Sequence, residues 1–391
     1  MTPTTQQTRR WVLASLATLV LSAAAMTSPL ARAQTAKVLK LGGLLTVTGP
    51  NASIGKESVG GVEYAVKQLN AAGGVRIGAD TYTVQFINVD DESKAERTVA
   101  AAERLVNSEK VPVVFTTPAS TTTLAVLPIF EKNKTLAMSF VASAPAVISP
   151  DLSYSFRSTL SSIDNVNPSV DFLVKEKKAK TIAYLGRNDD WGRNAGKSIV
   201  ARAKSLGAQV VVEEYFEVGS TDFSALLTKV RGANPDAFMA AAFIEDGVSM
   251  LKQYRELRMK PVLLSPSTIW SSPTFLKAAG KAAEGVYVAT GPTTSDTPAL
   301  RAFAQQFEKA TGHAPAPFEM IGYDNVMLVI EAMKKAGSTD PTKVRDTLSH
   351  MSYAGVLQEY KFDNSNQSEV VININEIKDA KAVMINSIRT H

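Results

Sequence analysis

The sequence predicts an α/β protein built from two doubly wound, parallel-sheet lobes. Three observations carry this. Short apolar runs alternate with helical segments along the chain from Val38 onward, the pattern of parallel strands with crossover helices on both faces. The alternation comes in two series, the second opening at Thr181. The 391 residues, 45% apolar and 20% charged, also suffice for two domains of ordinary size and composition.

In the first series, Val38–Val47 reads as a buried strand and Thr48–Asn51 as a turn. Gly55–Asn70 reads as a helix, with Val59, Val62, Ala65, Val66 and Leu69 near helical spacing. Ala71–Val75 stops it. Tyr82–Val89 alternates as a strand and ends in Asp90-Asp91, read first as caps of the helix Lys94–Glu109, with ligand or metal contact as the alternative. Val111–Phe115 and Thr135–Val141 are further strands. Between them lie a hydroxyl-rich turn from Thr116 and a helix over Leu124–Lys132. Phe156–Thr159 is a strand or crossover, and Asp164–Lys175 a helix with Pro168 in its first turn.

The second series gives strands at Thr181–Leu185, Gln209–Glu214, Ala237–Phe243, Pro261–Ser265 and Gly285–Ala289. Its helices are Arg193–Leu206, Phe223–Ala233 behind Asp222 as cap, and Asp246–Leu257. Asp189–Gly192 reads as a loop. Helices over Pro298–Thr311, Phe318–Ala336 and Pro341–Met351 follow, with Tyr323 read as core. The tail reads as strands at Leu357–Asp363, Val370–Asn375 and Ala382–Asn386.

The N-terminus reads as a cleaved secretory signal over residues 1–33. Arg9-Arg10 form its charged region, Trp11–Ala25 its apolar core and Ala31-Arg32-Ala33 a small-x-small cleavage site. The apolar core is short for a membrane span, and the expected destination is the periplasm. Processing leaves 39 basic against 37 acidic residues, so the formal charge falls from +5 to near +2 and gives no case for nucleic-acid binding. There is no cysteine, which excludes disulfides, thiolate catalysis and cysteine-ligated metals. The three histidines show no metal-ligand spacing. No P-loop, dinucleotide fingerprint or nucleophile elbow occurs, so neither cofactor nor metal is expected and an enzyme is disfavoured.

Candidate binding residues lie where strands end, the place where open parallel sheets bind ligands. Thr116–Thr123 crowds hydroxyls at a helix start. There, unpaired N–H groups and the positive end of the helix dipole suit a small anion. Plain N-capping is the alternative for Ser120 and Thr121, and also for Ser143 in the next strand-end turn. Trp191 in a polar stretch reads as a binding platform or a helix-end cover. Phe243 reads as contact or core.

The wording now resembles the periplasmic branched-chain amino-acid binding proteins of ABC transporters, the two-lobed type I receptors. The stretches that carry this are KLGGLLTVTGPNASIGKESVGGVEYAVKQLNAAGGV, VDDESKAERTVAAAERLV, FTTPASTTTLAVLPIFE, ASAPAV, RNDDWGRNAG and FSALLTKVRGANPDAFMAAAF, in that order from Lys40. The resemblance implies a three-strand hinge with crossings near Phe156–Thr159, Tyr287–Gly291 and Tyr353–Val356. Lobe one would then combine 37–157 and 290–352, and lobe two 158–289 and 353–391. It implies that Ser120 and Thr121 hold a ligand carboxylate. Val141 and Ser143 would form the second turn at that end, Trp191 and Phe243 would close over the ligand from lobe two, and Ile54 would line the side-chain pocket. One position departs from the pattern. Where amino-acid receptors carry an acid for the ligand ammonium, after the Pro261–Ser265 strand, this chain has Ser267. Glu245 or Asp246 would be the substitutes.

The function expected is a monomeric periplasmic receptor for an ABC importer, delivering a small carboxylate with an apolar or aromatic tail to permease subunits. The alternatives are a true branched-chain amino-acid receptor and a sensor feeding a signalling partner.

Overall fold

The computed structural model describes residues 36–291 and 297–390. The signal segment read over residues 1–33 lies outside them. Among the described residues, no helix is long and apolar enough to cross a membrane.

The first lobe opens with β1 (Lys37–Gly43), α1 (Ala52–Ala71), β2 (Val75–Ile77), β3 (Asp80–Asn88) and α2 (Ala95–Glu103). β4 (Val113–Phe115), α3 (Ser120–Lys132), β5 (Leu136–Ser139) and β6 (Ser155–Arg157) complete its sheet. The second lobe runs through α4 (Ser162–Asp171), β7 (Thr181–Arg187), α5 (Asp190–Ser205), β8 (Gln209–Phe216), α6 (Ser224–Ala233) and β9 (Ala237–Ala241). It continues with α7 (Ile244–Glu256), β10 (Val262–Ser265), α8 (Pro273–Ala279) and β11 (Tyr287–Thr290). Then come α9 (Pro298–Thr311), α10 (Pro317–Ala336), α11 (Pro341–Leu348), the hairpin β12 (Ser352–Ala354) and β13 (Glu359–Lys361), and finally β14 (Val370–Lys378) and β15 (Lys381–Thr390).

Two sheets result, in the orders β2-β3-β1-β4-β5-β6 and β15-β14-β11-β10-β9-β7-β8. Within the first sheet only the β2–β3 pair is antiparallel. In the second, β14 and β15 run antiparallel on one edge. The central strands are covered on both faces, which is why β9 is buried at all five positions and β7 at six of seven.

Although late in the chain, α10 packs against α1 in the first lobe. Val62 and Ala65 share one core with Val326, Val329 and Leu41. Small residues set the spacing of these two helices. A Cβ added at Gly61 would stand 1.9 Å from the Glu319 carbonyl oxygen, and one at Gly322 would stand 2.7 Å from that of Ser58.

The chain passes between the sheets three times, after β6, after β11 and between β13 and β14. The third passage spans 362–369, downstream of the expected Tyr353–Val356. The reason is Asp324 of α10, buried in the first lobe. It accepts the N–H groups of Val356 (2.8 Å) and Leu357 (3.0 Å) and the Tyr360 hydroxyl (3.0 Å), holding the hairpin there. The first and third passages are zipped together: Arg157 N–H donates to the Asn366 carbonyl (3.0 Å), and Ser368 N–H to the Arg157 carbonyl (2.9 Å).

Three local readings change. Ser161 precedes α4, and its N–H donates to the Asp164 carboxylate (3.0 Å), so the helix starts early and Pro168 falls in its interior. Asp189 caps α5 by accepting Gly192 N–H (2.9 Å), so the expected loop is a helix start with Trp191 in its first turn. Asp90 and Asp91 do not cap α2, whose N-cap is Lys94. They instead anchor the segment after β1, Asp90 through Val47 N–H (2.9 Å) and Asp91 through the Thr46 hydroxyl (2.6 Å).

The α1–α10 contact gives a direct check. Gly61→Ala forces a methyl into the Glu319 backbone and is expected to cost about 1–3 kcal/mol, the usual size for overpacking. Denaturant unfolding measures it; an unchanged midpoint would contradict the close approach.

Candidate functional site

Each sheet has a point where neighbouring strands send their connections in opposite directions, and such points open crevices at the carboxyl ends of the strands. In the first sheet it lies between β1 and β4, and in the second between β7 and β9. The hydroxyl turn follows β4. Trp191 follows β7 and Phe243 follows β9. The residues singled out from the sequence thus stand at the two switch points.

Between the lobes lies a cavity of about 480 Å³, a volume that includes space open to solvent. Pro118, Ser120, Val141, Ser143, Phe318 and Ile321 line it from the first lobe. Trp191, Phe243, Ser267, Thr268 and Ile269 line it from the second. Thr159 and Leu160, from the first passage, and Asn165 of α4 complete the wall. Six of the eight expected site residues are therefore brought together: Ser120, Val141, Ser143, Trp191, Phe243 and Ser267.

The other two lie off the cavity wall. Thr121 is exposed, and its hydroxyl accepts the N–H of Asp190 across the lobes at 3.3 Å. One helical step separates it from Ser120 and turns it away. Ile54 is fully buried and packs with the core of the second lobe, because α1 begins before it and drives it into the interface.

The hydroxyl end is built by adjacent strands. β4 and β5 pair in parallel, so their terminal turns meet. Ser120 Oγ accepts Ala144 N–H at 3.1 Å, joining the two turns and leaving its own proton to donate. The N-cap of α3 is Ala119, which has no side-chain acceptor, so the helix does not cap itself there. Its first N–H groups are available to an anion beside Ser120. The neighbouring hydroxyls serve structure: Thr123 donates to the Thr117 carbonyl (2.8 Å) and Thr122 to the Thr117 hydroxyl (3.1 Å).

The opposite wall is aromatic. The Trp191 and Phe243 rings lie 5.3 Å apart at 48°. Behind Phe243, the Arg187 guanidinium stacks 4.0 Å from the ring. Arg187 is buried and bonded through each of its three nitrogens: Asp189 and Asp246 each accept at 2.9 Å, and Asn51 of the first lobe accepts at 3.1 Å. Asp246 also takes Gly219 N–H (3.1 Å), and burial holds its carboxyl above the ordinary range against the pull of Arg187. Glu245 takes the Ser53 hydroxyl. Neither acid reaches the cavity. Among the described lining residues, none carries an ionised side chain. At Ser267, the hydroxyl caps a short turn by accepting Ile269 N–H (3.2 Å).

Thr159, Leu160, Asn165, Thr268, Ile269, Phe318 and Ile321 line the cavity without having been singled out. Phe318 and Ile321 fall in an unbroken apolar helix pattern, which carries no site signal. Asn165 is a polar residue in a helix's first turns, a placement too common to mark a site.

Residues 38–379 match the periplasmic binding protein family. The chain belongs to that family. The leucine-, isoleucine-, valine-, threonine- and alanine-binding protein of Pseudomonas aeruginosa is 27% identical over 304 residues, covering 77% of this chain and 79% of that one. The branched-chain amino acid transporter substrate binding protein LivJ of Streptococcus pneumoniae, solved with isoleucine, aligns over 90% of this chain and 100% of its own with a TM-score of 0.82 at 22% identity. An R. palustris ABC-transporter solute binding protein, solved with benzoate, aligns over 90% and 96% with a TM-score of 0.83 at 20% identity. The fold is thus the type I receptor fold, and the family is one of solute-binding proteins.

In this periplasmic binding protein the lobes touch through Asn51–Arg187, Ser53–Glu245, Thr121–Asp190 and Glu57–Thr274. The last pair is unusual. Glu57 of α1 is buried, accepting the Thr274 hydroxyl at 2.7 Å on one oxygen while the other has no partner. Burial pushes its carboxyl up to about 7, opposed by the Thr274 and Ser272 hydroxyls and reinforced by Glu319 of α10 and Glu245 of α7. His313, the nearby basic group, is paired to Glu319 at 2.9 Å.

Were the lobes to part and return Glu57 to water, its carboxyl would titrate near the ordinary 4.5. Closure would then take up a proton between about 4.5 and 7, and the closed form would weaken as pH rises through that window. Ligand affinity by calorimetry is expected to fall on the order of tenfold or more from pH 5 to pH 8. Glu57→Gln should flatten the profile; an unaltered profile in that variant would contradict the assignment.

Proposed function

We propose that this periplasmic binding protein is the receptor of an ABC importer for a small monocarboxylate with an apolar or aromatic tail and no ammonium group. The observation that carries the reading is that no described residue of the cavity wall is charged. An ammonium buried there would meet no carboxylate among those residues, an arrangement that costs several kcal/mol, and both acids once available to replace the missing one are engaged elsewhere.

A carboxylate fits the other end. Ser120 and Ser143 supply hydroxyl donors, and the uncapped start of α3 supplies N–H groups and a favourable dipole. Trp191 and Phe243 cover the tail. Hinge bending at the three passages then presents the closed form to a membrane permease, with ligand biasing the open–closed equilibrium. Benzoate in the R. palustris neighbour supports this ligand class. The amino-acid names of other relatives support a branched-chain amino acid as the second reading.

Thermal-shift screening separates the two. Benzoate, phenylacetate and branched keto acids are expected to raise the melting temperature, and leucine, isoleucine and valine to leave it unchanged; strong stabilisation by leucine would reverse the assignment. With the acid that binds, Ser120→Ala is expected to weaken affinity by ~1–3 kcal/mol, the scale of a lost charge-assisted bond. Calorimetry on the folded variant reads this, and wild-type affinity would remove Ser120 as the anchor.

A further inference from the structure

Two arginines are buried among the described residues, and they are compensated very differently. Arg187 is met by Asp189 and Asp246 at 2.9 Å each. Arg157, at the end of β6, is 3% exposed and bonds only to neutral oxygens. Its Nη1 donates to the Ala144 carbonyl at 2.7 Å, and its Nε donates to the side chain of Gln367. Asp164 and Asp363 favour its charge through space, Asp363 from an exposed position, but burial outweighs them and draws the guanidinium down to about 10. It is still a cation at neutral pH.

This cation lies directly behind the hydroxyl end of the cavity. Ala144 joins the two: its carbonyl takes Arg157, and its N–H donates to Ser120 Oγ at 3.1 Å. Ser143, one residue before Ala144, lines the cavity, as do Thr159 and Leu160, two and three residues after Arg157. The uncapped start of α3 adds positive potential at the same end. In a protein interior a unit charge acts over several ångströms, and salt screens a buried charge weakly. A buried cation without a paired anion is also costly, so an anion brought near it recovers part of that cost.

We propose that Arg157 is a specificity-determining residue whose charge, one residue behind the cavity wall, selects an anionic head group at Ser120 and Ser143 without touching it. This rests on the carboxylate reading above and deepens it. The wall supplies hydrogen-bond donors, which a neutral carboxamide oxygen can also use. The guanidinium supplies the preference for a full negative charge. Arg157 also ties the hinge passages, since Gln367 donates onward to the Thr159 carbonyl at 2.8 Å. Loss of that tie alone would weaken acid and amide alike, so their ratio isolates the charge.

The test is calorimetry with benzoate against benzamide and phenylacetate against phenylacetamide. The wild-type protein is expected to bind at least one acid tenfold or more tighter than its amide. In Arg157→Met that preference should fall about tenfold, the scale of a unit charge acting across several ångströms of protein. In Arg157→Lys, which keeps the charge, it should stay within about threefold of wild type. A thermal melt verifies folding, and Arg157→Gln replaces Arg157→Met if the latter does not fold. A preference unchanged in the neutral variant, or lost equally in Arg157→Lys, would overturn this inference and leave the carboxylate reading standing. Equal binding of acid and amide by the wild type, or binding of leucine with neither acid bound, would overturn both.

Discussion

A charge held in a dry cleft between two lobes costs several kcal/mol unless a fixed partner meets it. The cleft here is arranged around that constraint. The ionisable groups near it are spent before they reach the ligand space: Arg187 on Asp189, Asp246 and Asn51, Glu245 on Ser53, and Glu319 on His313. Glu57 is the partial exception, and burial favours its neutral form. Among the described residues, what faces the cavity is hydroxyl, amide and apolar surface, with the uncapped start of α3 as a source of positive potential.

On the proposed function, the same arrangement would link recognition to closure. Arg187 backs Phe243 on the ligand side while reaching across to Asn51 of the other lobe. Asp189 holds Arg187 and also starts the helix that presents Trp191. One guanidinium therefore serves both the aromatic wall and one of the interlobe contacts. On the far side, Ser120 both faces the cavity and ties the two strand-end turns together. Ligand contacts and the contacts between elements share atoms, so a ligand that orders one orders the other.

Much of this was legible in the chain. Alternating strands and helices are a strong periodic signal, and the rule that parallel sheets bind at their carboxyl ends located Ser120, Ser143, Trp191 and Phe243. What escaped depended on where helices begin. With Ala119 as N-cap, Ser120 faces the cavity and Thr121 does not, a difference of one residue. α1 starts at Ala52, which carries Ile54 into the core of the other lobe. α4 starts at Ser162, which places Asn165 on the cavity wall and Pro168 inside the helix. The third passage was displaced because Asp324 holds a short hairpin, a contact between residues 32 apart or more that no local pattern announces.

The central claim is that a cleft with no charge among its described lining residues selects an anion without an ammonium group. Mass spectrometry of the small molecule released on denaturing protein purified from its native periplasm tests it most directly. The account predicts a carboxylic acid with no basic nitrogen. Recovery of leucine, isoleucine, valine or another α-amino acid would contradict it.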